Sequence, residues 1–323
     1  MSHEVVYVAL QQFCETDERP RQLLIESGFE VRQNTLGRRL RREDMAAALR
    51  GVDAVLAGVE PYEATLLEAL PRLHCIIRCV TGTDSIDLSA AAQRGITVLT
   101  TPDEVAEPVA QLTVAMILAL ARNLPLHLHE FRDGLWKKQT GVLLSEWTIG
   151  LVGFGRIGQA VERLLRAFQP RVIVADPRLT KQAMPDGVSL QPLASLLAGS
   201  DVVSLHAARQ PQEGALLGRR ELALMKRGSR LVNTARGHLV DATALVEALQ
   251  AGQLAAAALD VFEQEPYQGP LVTFPQVLCT PHVATLTRAS RAAMEWRCAS
   301  NVVNYFAGCG RATEMRLATG SSR

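Results

Sequence analysis

Short apolar runs alternate with amphipathic stretches along most of the chain. Val5–Leu10, Glu30–Arg32, Ala54–Ala57, Cys75–Val80 and Thr97–Thr100 have the length and composition of strands. Between them, the segments around Arg19–Ser27, Glu43–Leu49, Tyr62–Ala69 and Leu88–Arg94 carry apolar residues at helical spacing. Strand and helix in alternation predict parallel strands joined by helical crossovers. Thr101-Pro102-Asp103 interrupts the pattern and opens a long apolar helix over Glu107–Ala121, with Asp103 or Glu104 at its positive end. The alternation resumes with Trp147–Val152, a helix over Gln159–Phe168, and strands at Arg171–Ala175, Asp201–Leu205, Arg230–Asn233, Ala256–Leu259 and Val277–Cys279. Leu286–Phe306 returns to helical spacing, and Arg316–Arg323 reads as a polar, disordered tail. The expected fold is α/β, with two doubly wound parallel-sheet domains.

The strand ending at Val152 runs into Gly153-Phe154-Gly155-Arg156-Ile157-Gly158, and the next strand ends at Asp176. A G-x-G-x-x-G between a strand and a helix, with an acid about twenty residues on, is the Rossmann-like arrangement for a dinucleotide. The first glycine permits the tight turn, the second admits the pyrophosphate to the backbone, and the third lets helix and strand pack closely. The phosphates then sit on the helix N-terminus. A carboxylate at Asp176 accepts hydrogen bonds from ribose hydroxyls and repels a 2′-phosphate, which favours NAD over NADP. Arg178 is expected to flank the adenine or face solvent.

Three residues far apart in sequence, Arg236, Glu265 and His282, each follow one of the later strands. The carboxyl ends of neighbouring parallel strands converge, so a cation, an acid and an imidazole meet there. The set suits hydride transfer at a carbon that carries oxygen beside a carboxylate. Arg236 holds the carboxylate, His282 moves the hydroxyl proton, and Glu265 keeps the histidine protonatable.

These motifs, together with Arg78-Cys79-Val80-Thr81-Gly82-Thr83-Asp84-Ser85-Ile86-Asp87, Asn233-Thr234-Ala235-Arg236-Gly237, Leu259-Asp260-Val261-Phe262-Glu263-Gln264-Glu265-Pro266 and Thr280-Pro281-His282, resemble the D-2-hydroxyacid dehydrogenase family, close to its phosphoglycerate dehydrogenase branch. The resemblance implies that Arg236, Glu265 and His282 are catalytic. It implies that Gly153, Gly155, Arg156, Ile157, Gly158, Asp176, His206, Ala207, Thr234, Ala235, Arg236, Asp260, His282 and Ala284 line NAD, with Asp260 at the nicotinamide amide. Arg78, Thr81, Gly82, Arg236 and His282 would contact the substrate. Residues 1–101 and 285–323 would form a discontinuous substrate domain. Residues 102–284 would form the NAD-binding domain, with a dimerisation arm at about 122–147 that makes the protein a homodimer.

The sequence departs from the phosphoglycerate branch at Val80, Val105 and Gln111, and Glu60 occupies a loop where some of those enzymes carry an arginine for the phosphate. Arg78 and Lys137 offer partners for a second anion, whereas Glu60 repels one and Val105 removes a polar contact. The balance implies a keto acid with a side chain at least partly polar or anionic.

Composition narrows the field further. The 323 residues carry a formal net charge of +1, which gives no field to gather nucleic acid or an anionic membrane. Val109–Ala121 is too short to span a bilayer, which takes about 20 residues. Cys14, Cys75, Cys79, Cys279, Cys298 and Cys309 show no zinc-like pairing, no metal site is expected, and a cytoplasmic, reducing setting fits. The expected activity is NAD-dependent interconversion of a D-2-hydroxy acid and its 2-keto acid. The alternatives are a dehydrogenase of a related small anion, formate or phosphite, and a dinucleotide-sensing interaction protein similar to transcriptional corepressors that share the fold.

Overall fold

The structure, a computed structural model, describes residues 4–180, 184–208 and 211–308. Cys309 and the polar tail lie outside the described residues. The chain divides into two compact units, one comprising residues up to Val105 and from Thr287 onward, the other Ala106–Leu286.

In the first unit β1 (Val5–Val8), α1 (Arg19–Glu26), β2 (Glu30–Gln33), α2 (Arg42–Ala48), β3 (Ala54–Ala57), α3 (Ala64–Glu68), β4 (Cys75–Arg78), α4 (Leu88–Gln93) and β5 (Thr97–Leu99) follow one another. The strands form a parallel sheet in the order β2-β1-β3-β4-β5. Successive side chains on a strand point to opposite faces, and the core divides accordingly. Val6, Val8, Leu56 and Ile77 face one side, whereas Val5, Tyr7, Val55 and Ile76 face the other, against Met45, Leu49 and Leu67. Both faces being covered explains why these strands read as continuous apolar runs rather than alternating ones.

The second unit runs α5 (Ala106–Ala121), α6 (Leu124–Arg132), β6 (Thr148–Val152), α7 (Arg156–Leu165), β7 (Arg171–Ala175), β8 (Val188–Leu190), α8 (Leu193–Gly199), β9 (Val202–Leu205), α9 (Arg219–Leu224), β10 (Ser229–Asn233), α10 (Ala242–Gln250), β11 (Leu254–Leu259) and β12 (Val277–Cys279). Its parallel sheet has the order β12-β11-β10-β9-β6-β7-β8. The order reverses at β6, so the crevice for a ligand opens at the carboxyl ends of β6 and β9. One face packs Ile149, Leu151, Val172 and Val174 against Ile117 and Leu120 of α5 and Val161 and Leu165 of α7. The other packs Val203, Leu205, Leu231 and Leu259 against Leu196, Leu222 and Leu245 of α8 to α10. Burial of each such side chain contributes roughly 1.5–3 kcal/mol.

The chain then re-enters the first unit as α11 (Arg288–Phe306), whose Met294, Cys298, Ala299 and Val302 complete the core face that holds Val6, Leu56 and Ile77. Thr287 caps this helix, its Oγ1 accepting from Ser290 N at 3.2 Å. Val105, expected to be a lost polar contact, is a core residue here and only 4% exposed. No single helix among the described residues is long and apolar enough to cross a membrane; α5 and α6 pass that test only as a pair, bent by 65°.

Candidate active site

β6 ends at Val152, and Gly153 turns the chain with φ 90°, in the left-handed region that favours glycine. A Cβ there would lie 2.6 Å from the His206 carbonyl carbon, so the backbones after β6 and β9 touch. A Cβ on Gly158 would lie 2.4 Å from Gly153 O, which is the close helix–strand approach the third glycine allows. A Cβ on Gly155 would meet no atom within 4 Å. Open space at the N-terminus of α7, where Arg156 and Ile157 begin the helix, is the place a pyrophosphate requires, and these residues fit a dinucleotide.

Asp176 follows β7 and is 6% exposed. Phe154 N donates to its Oδ2 at 3.0 Å and Arg178 N to its Oδ1 at 3.0 Å. The Arg178 guanidinium forks onto both oxygens, at 3.2 and 3.1 Å. Arg178 is therefore a partner of Asp176 while its side chain faces solvent, as expected. Burial alone would raise the Asp176 carboxyl, but the hydrogen bonds from Arg178 and Phe154 outweigh it and bring it down to about 2. This folded value lies below that of an unfolded aspartate, so the ionised group stabilises the fold above pH about 4 and loses that contribution as pH falls toward 2. The stability lost on Asp176→Asn is therefore expected to be full at neutral pH and to shrink between pH about 4 and 2 in denaturation series; a constant difference would remove Asp176 from this linkage.

His206, just past β9, accepts or donates through Nε2 to Ser204 Oγ at 2.9 Å, and its Nδ1 is buried without a hydrogen-bond partner. Burial pushes its pKa down to about 4, so the ring is neutral at physiological pH. Ala207 follows it, half-buried.

Asn233, the last residue of β10, is 1% exposed and clamps the following turn. Its Nδ2 donates to Arg236 O at 2.9 Å and its Oδ1 accepts from Ala235 N at 3.1 Å. Thr234, buried in that turn, shares a 2.8 Å hydrogen bond with Thr113 of α5. A Cβ on the next residue, Gly237, would lie 1.9 Å from the Phe262 carbonyl carbon, so the turn that carries Arg236 lies directly on the loop after β11. Phe262 N in turn donates to Glu265 Oε1 at 3.0 Å, and Glu265 Oε2 meets His282 Nδ1 at 2.8 Å. Arg236, Glu265 and His282 thus stand on three adjacent strand ends joined by contacts of the polypeptide itself.

The His282 turn is anchored from below. Asp260, fully buried at the end of β11, accepts from Thr280 Oγ1 at 2.5 Å, Val283 N at 2.9 Å and Ala284 N at 3.0 Å. Its carboxylate orders the turn. His282 takes φ 53°, uncommon for a residue with a side chain, and its N–H donates to Asp260 O at 2.8 Å. The surrounding hydrogen bonds hold that strained backbone while leaving the imidazole half exposed, at 47%.

Of the remaining expected contacts, Arg78, Thr81 and Gly82 belong to the first unit, and Lys137 and Gln111 to the second. Arg78, the last residue of β4, is 4% exposed and donates from Nε to Gly82 O at 2.9 Å; Thr81 is exposed. Lys137, expected to meet a second anion, lies 3.7 Å from Glu130, and Gln111 Nε2 donates to Glu107 at 2.9 Å. Sequence reasoning gave no role to Gly237, Phe262, Ser204 or Thr113. Gly237 and Phe262 left a trace, as members of the motifs that carry Arg236 and Glu265.

The fold and this site define a dinucleotide-binding α/β protein, and comparisons with known proteins agree. Residues 114–284 match the model of the D-isomer specific 2-hydroxyacid dehydrogenase, NAD binding domain. The chain is 37% identical to a glyoxylate reductase of Aeropyrum pernix, over 82% of this chain and 83% of that one. It is 35% identical to a D-3-phosphoglycerate dehydrogenase of Archaeoglobus fulgidus, over 88% of this chain and 54% of that one. Among solved structures, the D-lactate dehydrogenase of Aquifex aeolicus, complexed with NAD and lactic acid, superposes with a TM-score of 0.85 at 26% identity, covering 99% of this chain and 100% of that one. This chain belongs to the D-isomer specific 2-hydroxyacid dehydrogenase family, whose NAD-binding domain it carries. It spans about half the length of the phosphoglycerate dehydrogenases it matches and more than four fifths of the glyoxylate reductases.

Proposed function

We propose that this protein is an NAD-dependent oxidoreductase that interconverts a D-2-hydroxy acid and its 2-keto acid by hydride transfer. The observation that carries the reading is the 2.8 Å hydrogen bond between His282 Nδ1 and Glu265 Oε2, beside the Arg236 turn and in the same unit as the dinucleotide loop. Bound NADH supplies the hydride. Arg236 holds the substrate carboxylate and polarises the carbonyl oxygen, while His282 gives that oxygen its proton from Nε2. Glu265 acts through Nδ1, fixing the ring's tautomer and orientation, as carboxylates do for catalytic histidines. In the reverse direction the same ring takes the hydroxyl proton, a task that formate, with no hydroxyl proton to lose, does not require. Arg78, Thr81 and Gly82 contact the substrate, and Asp176 selects NAD over NADP.

The reading extends to assembly and setting. Leu128, Phe131 and Trp136, respectively 54%, 66% and 81% exposed, form an apolar surface on segment 122–147 that supports a homodimer made through this arm. Cys14, Cys75, Cys79 and Cys279 are free thiols, as is Cys298, which fits the reducing cytoplasm.

Following NADH oxidation with glyoxylate, pyruvate, hydroxypyruvate, 2-ketoglutarate, branched-chain keto acids and phosphohydroxypyruvate tests the proposal. Turnover of at least one of them, with the D-hydroxy acid as product and NADH preferred to NADPH, is the expected result. No turnover across the panel overturns the activity, and equal use of both cofactors overturns the role of Asp176.

A further inference from the structure

The loop after β11 carries two aromatic rings to which the hydride chemistry gives no task. Glu263, Gln264, Glu265 and Pro266 are exposed, whereas Phe262 before them and Tyr267 after them are half-buried against the core of the second unit. The two rings stack, with centroids 4.3 Å apart and planes 18° from parallel. They close the exposed stretch at its base. Solvated residues with few apolar contacts of their own open easily, yet Glu265 in this stretch keeps a 2.8 Å hydrogen bond to His282 Nδ1.

Tyr267 is firmly seated. Leu271 N donates to its Oη at 3.2 Å, and a Cβ on Gly269 would lie 2.2 Å from the same oxygen, so the phenol lies directly on the glycine backbone. Leu271, 2% exposed, belongs to a short turn over Pro270–Thr273. That turn leads into β12, where Val277 N donates to Phe274 O at 3.0 Å, and His282 lies just past the end of the strand. On the other side of the stack, the Phe262 N–H donates to Glu265 Oε1 at 3.0 Å. This bond engages one carboxylate oxygen and leaves Oε2 to face the imidazole. The stack thus joins the support of Glu265 to the approach of the strand that leads to His282.

We propose that Tyr267 is a positioning residue: its ring, stacked on Phe262, holds the Phe262 N–H against Glu265 Oε1, so that Oε2 keeps the His282 proton on Nδ1 and leaves Nε2 for the substrate. The proposal rests on the hydroxy-acid reading above. A neutral imidazole accepts a proton at Nε2 only while its own proton sits on Nδ1, and the partner of Nδ1 sets that choice. Arg236 is held by other means. Asn233 bonds to the backbone of its turn at two points, and Thr113 holds that turn through Thr234. Loss of the stack should therefore disturb the proton transfer and spare the grip on the substrate carboxylate.

Tyr267→Ala removes the ring, and Gly269→Ala keeps it but fills its seat. Each is expected to lower kcat for glyoxylate or pyruvate reduction by about tenfold or more, toward the roughly 10²-fold that a misplacement of about 1 Å can cost, with KM little changed. Tyr267→Phe, which stacks without a hydroxyl, should restore most of the rate. A second readout needs no turnover. Nitrogen NMR of protein labelled in its histidine rings, with the His282 signals assigned against His282→Ala, should show the neutral ring protonated at Nδ1 in the unmodified protein and in Tyr267→Phe. In Tyr267→Ala and Gly269→Ala the proton should move toward Nε2. Should one alanine variant fold poorly, the other carries both measurements. An unchanged tautomer in a folded alanine variant, or a loss that falls on KM instead of kcat, would overturn the positioning role. If the unmodified protein reduces no keto acid, the hydroxy-acid reading falls, and the ring spectra still decide whether Tyr267 sets the tautomer of His282.

Discussion

His282→Ala is expected to lower kcat for keto-acid reduction by about 10²–10⁴-fold, the usual worth of a positioned general acid, with KM little changed. The imidazole is the group placed to protonate the carbonyl oxygen, and Glu265 at 2.8 Å fixes which ring nitrogen faces the substrate. The loss falls on kcat because the proton moves only on the way to the transition state. Glu265→Gln should fall between the two proteins: an amide at the same distance still reaches Nδ1, but its orientation decides whether the ring offers the right tautomer. Single-turnover measurements of NADH oxidation separate these effects from product release. A His282→Ala variant with near-normal kcat would remove the residue from the chemistry.

The second large effect belongs to Arg236. Arg236→Ala should cost about 2.7–4 kcal/mol of transition-state stabilisation, by comparison with removal of one oxyanion donor. That corresponds to about 10²–10³-fold in kcat/KM. Unlike the histidine effect, it should divide between KM and kcat, since the guanidinium holds the carboxylate in the ground state and the developing oxyanion in the transition state. Arg236→Lys should recover little, because an ammonium cannot reproduce the fork that grips a carboxylate with two parallel hydrogen bonds. Steady-state kinetics with the best keto acid checks both outcomes, and a lysine variant that equals the original would refute the bidentate role.

Much of this was readable from residues. β3, β7 and β12 have the expected bounds because each is an apolar run closed by polar or turn-forming residues on both sides. The helix after the dinucleotide loop begins at Arg156, three residues earlier than apolar spacing indicates, because Gly155 caps it and the glycines mask its first turn. It gives way to a tighter turn over Arg166–Phe168, ended by Gln169 at φ 54°, which periodicity could not reveal. β8, only three residues long, carries too little pattern to stand out. At the site, the strand-end logic brought Arg236, Glu265 and His282 together, since position relative to a parallel strand follows from hydrophobic pattern alone. The anchoring of the His282 turn by Asp260 did not follow, because it depends on tertiary contacts between β11 and the turn after β12. Gly237 against Phe262 and Thr113 against Thr234 are likewise contacts between elements distant in sequence.

The discontinuity of the first unit has a bearing on how the protein is made. Its sheet is complete once residue 99 has been synthesised, yet Val6, Leu56 and Ile77 share their core face with Met294, Cys298 and Val302 of α11, the last described helix. On a ribosome the chain emerges from its N-terminus at about 5–20 residues per second. An apolar sheet face therefore waits about ten seconds or more without one of its covering helices, while the contiguous stretch Ala106–Leu286 has every strand it needs as soon as it has emerged. The unit that begins the chain is the one finished last, and its open face is the segment of this protein that nascent-chain chaperones have most reason to guard.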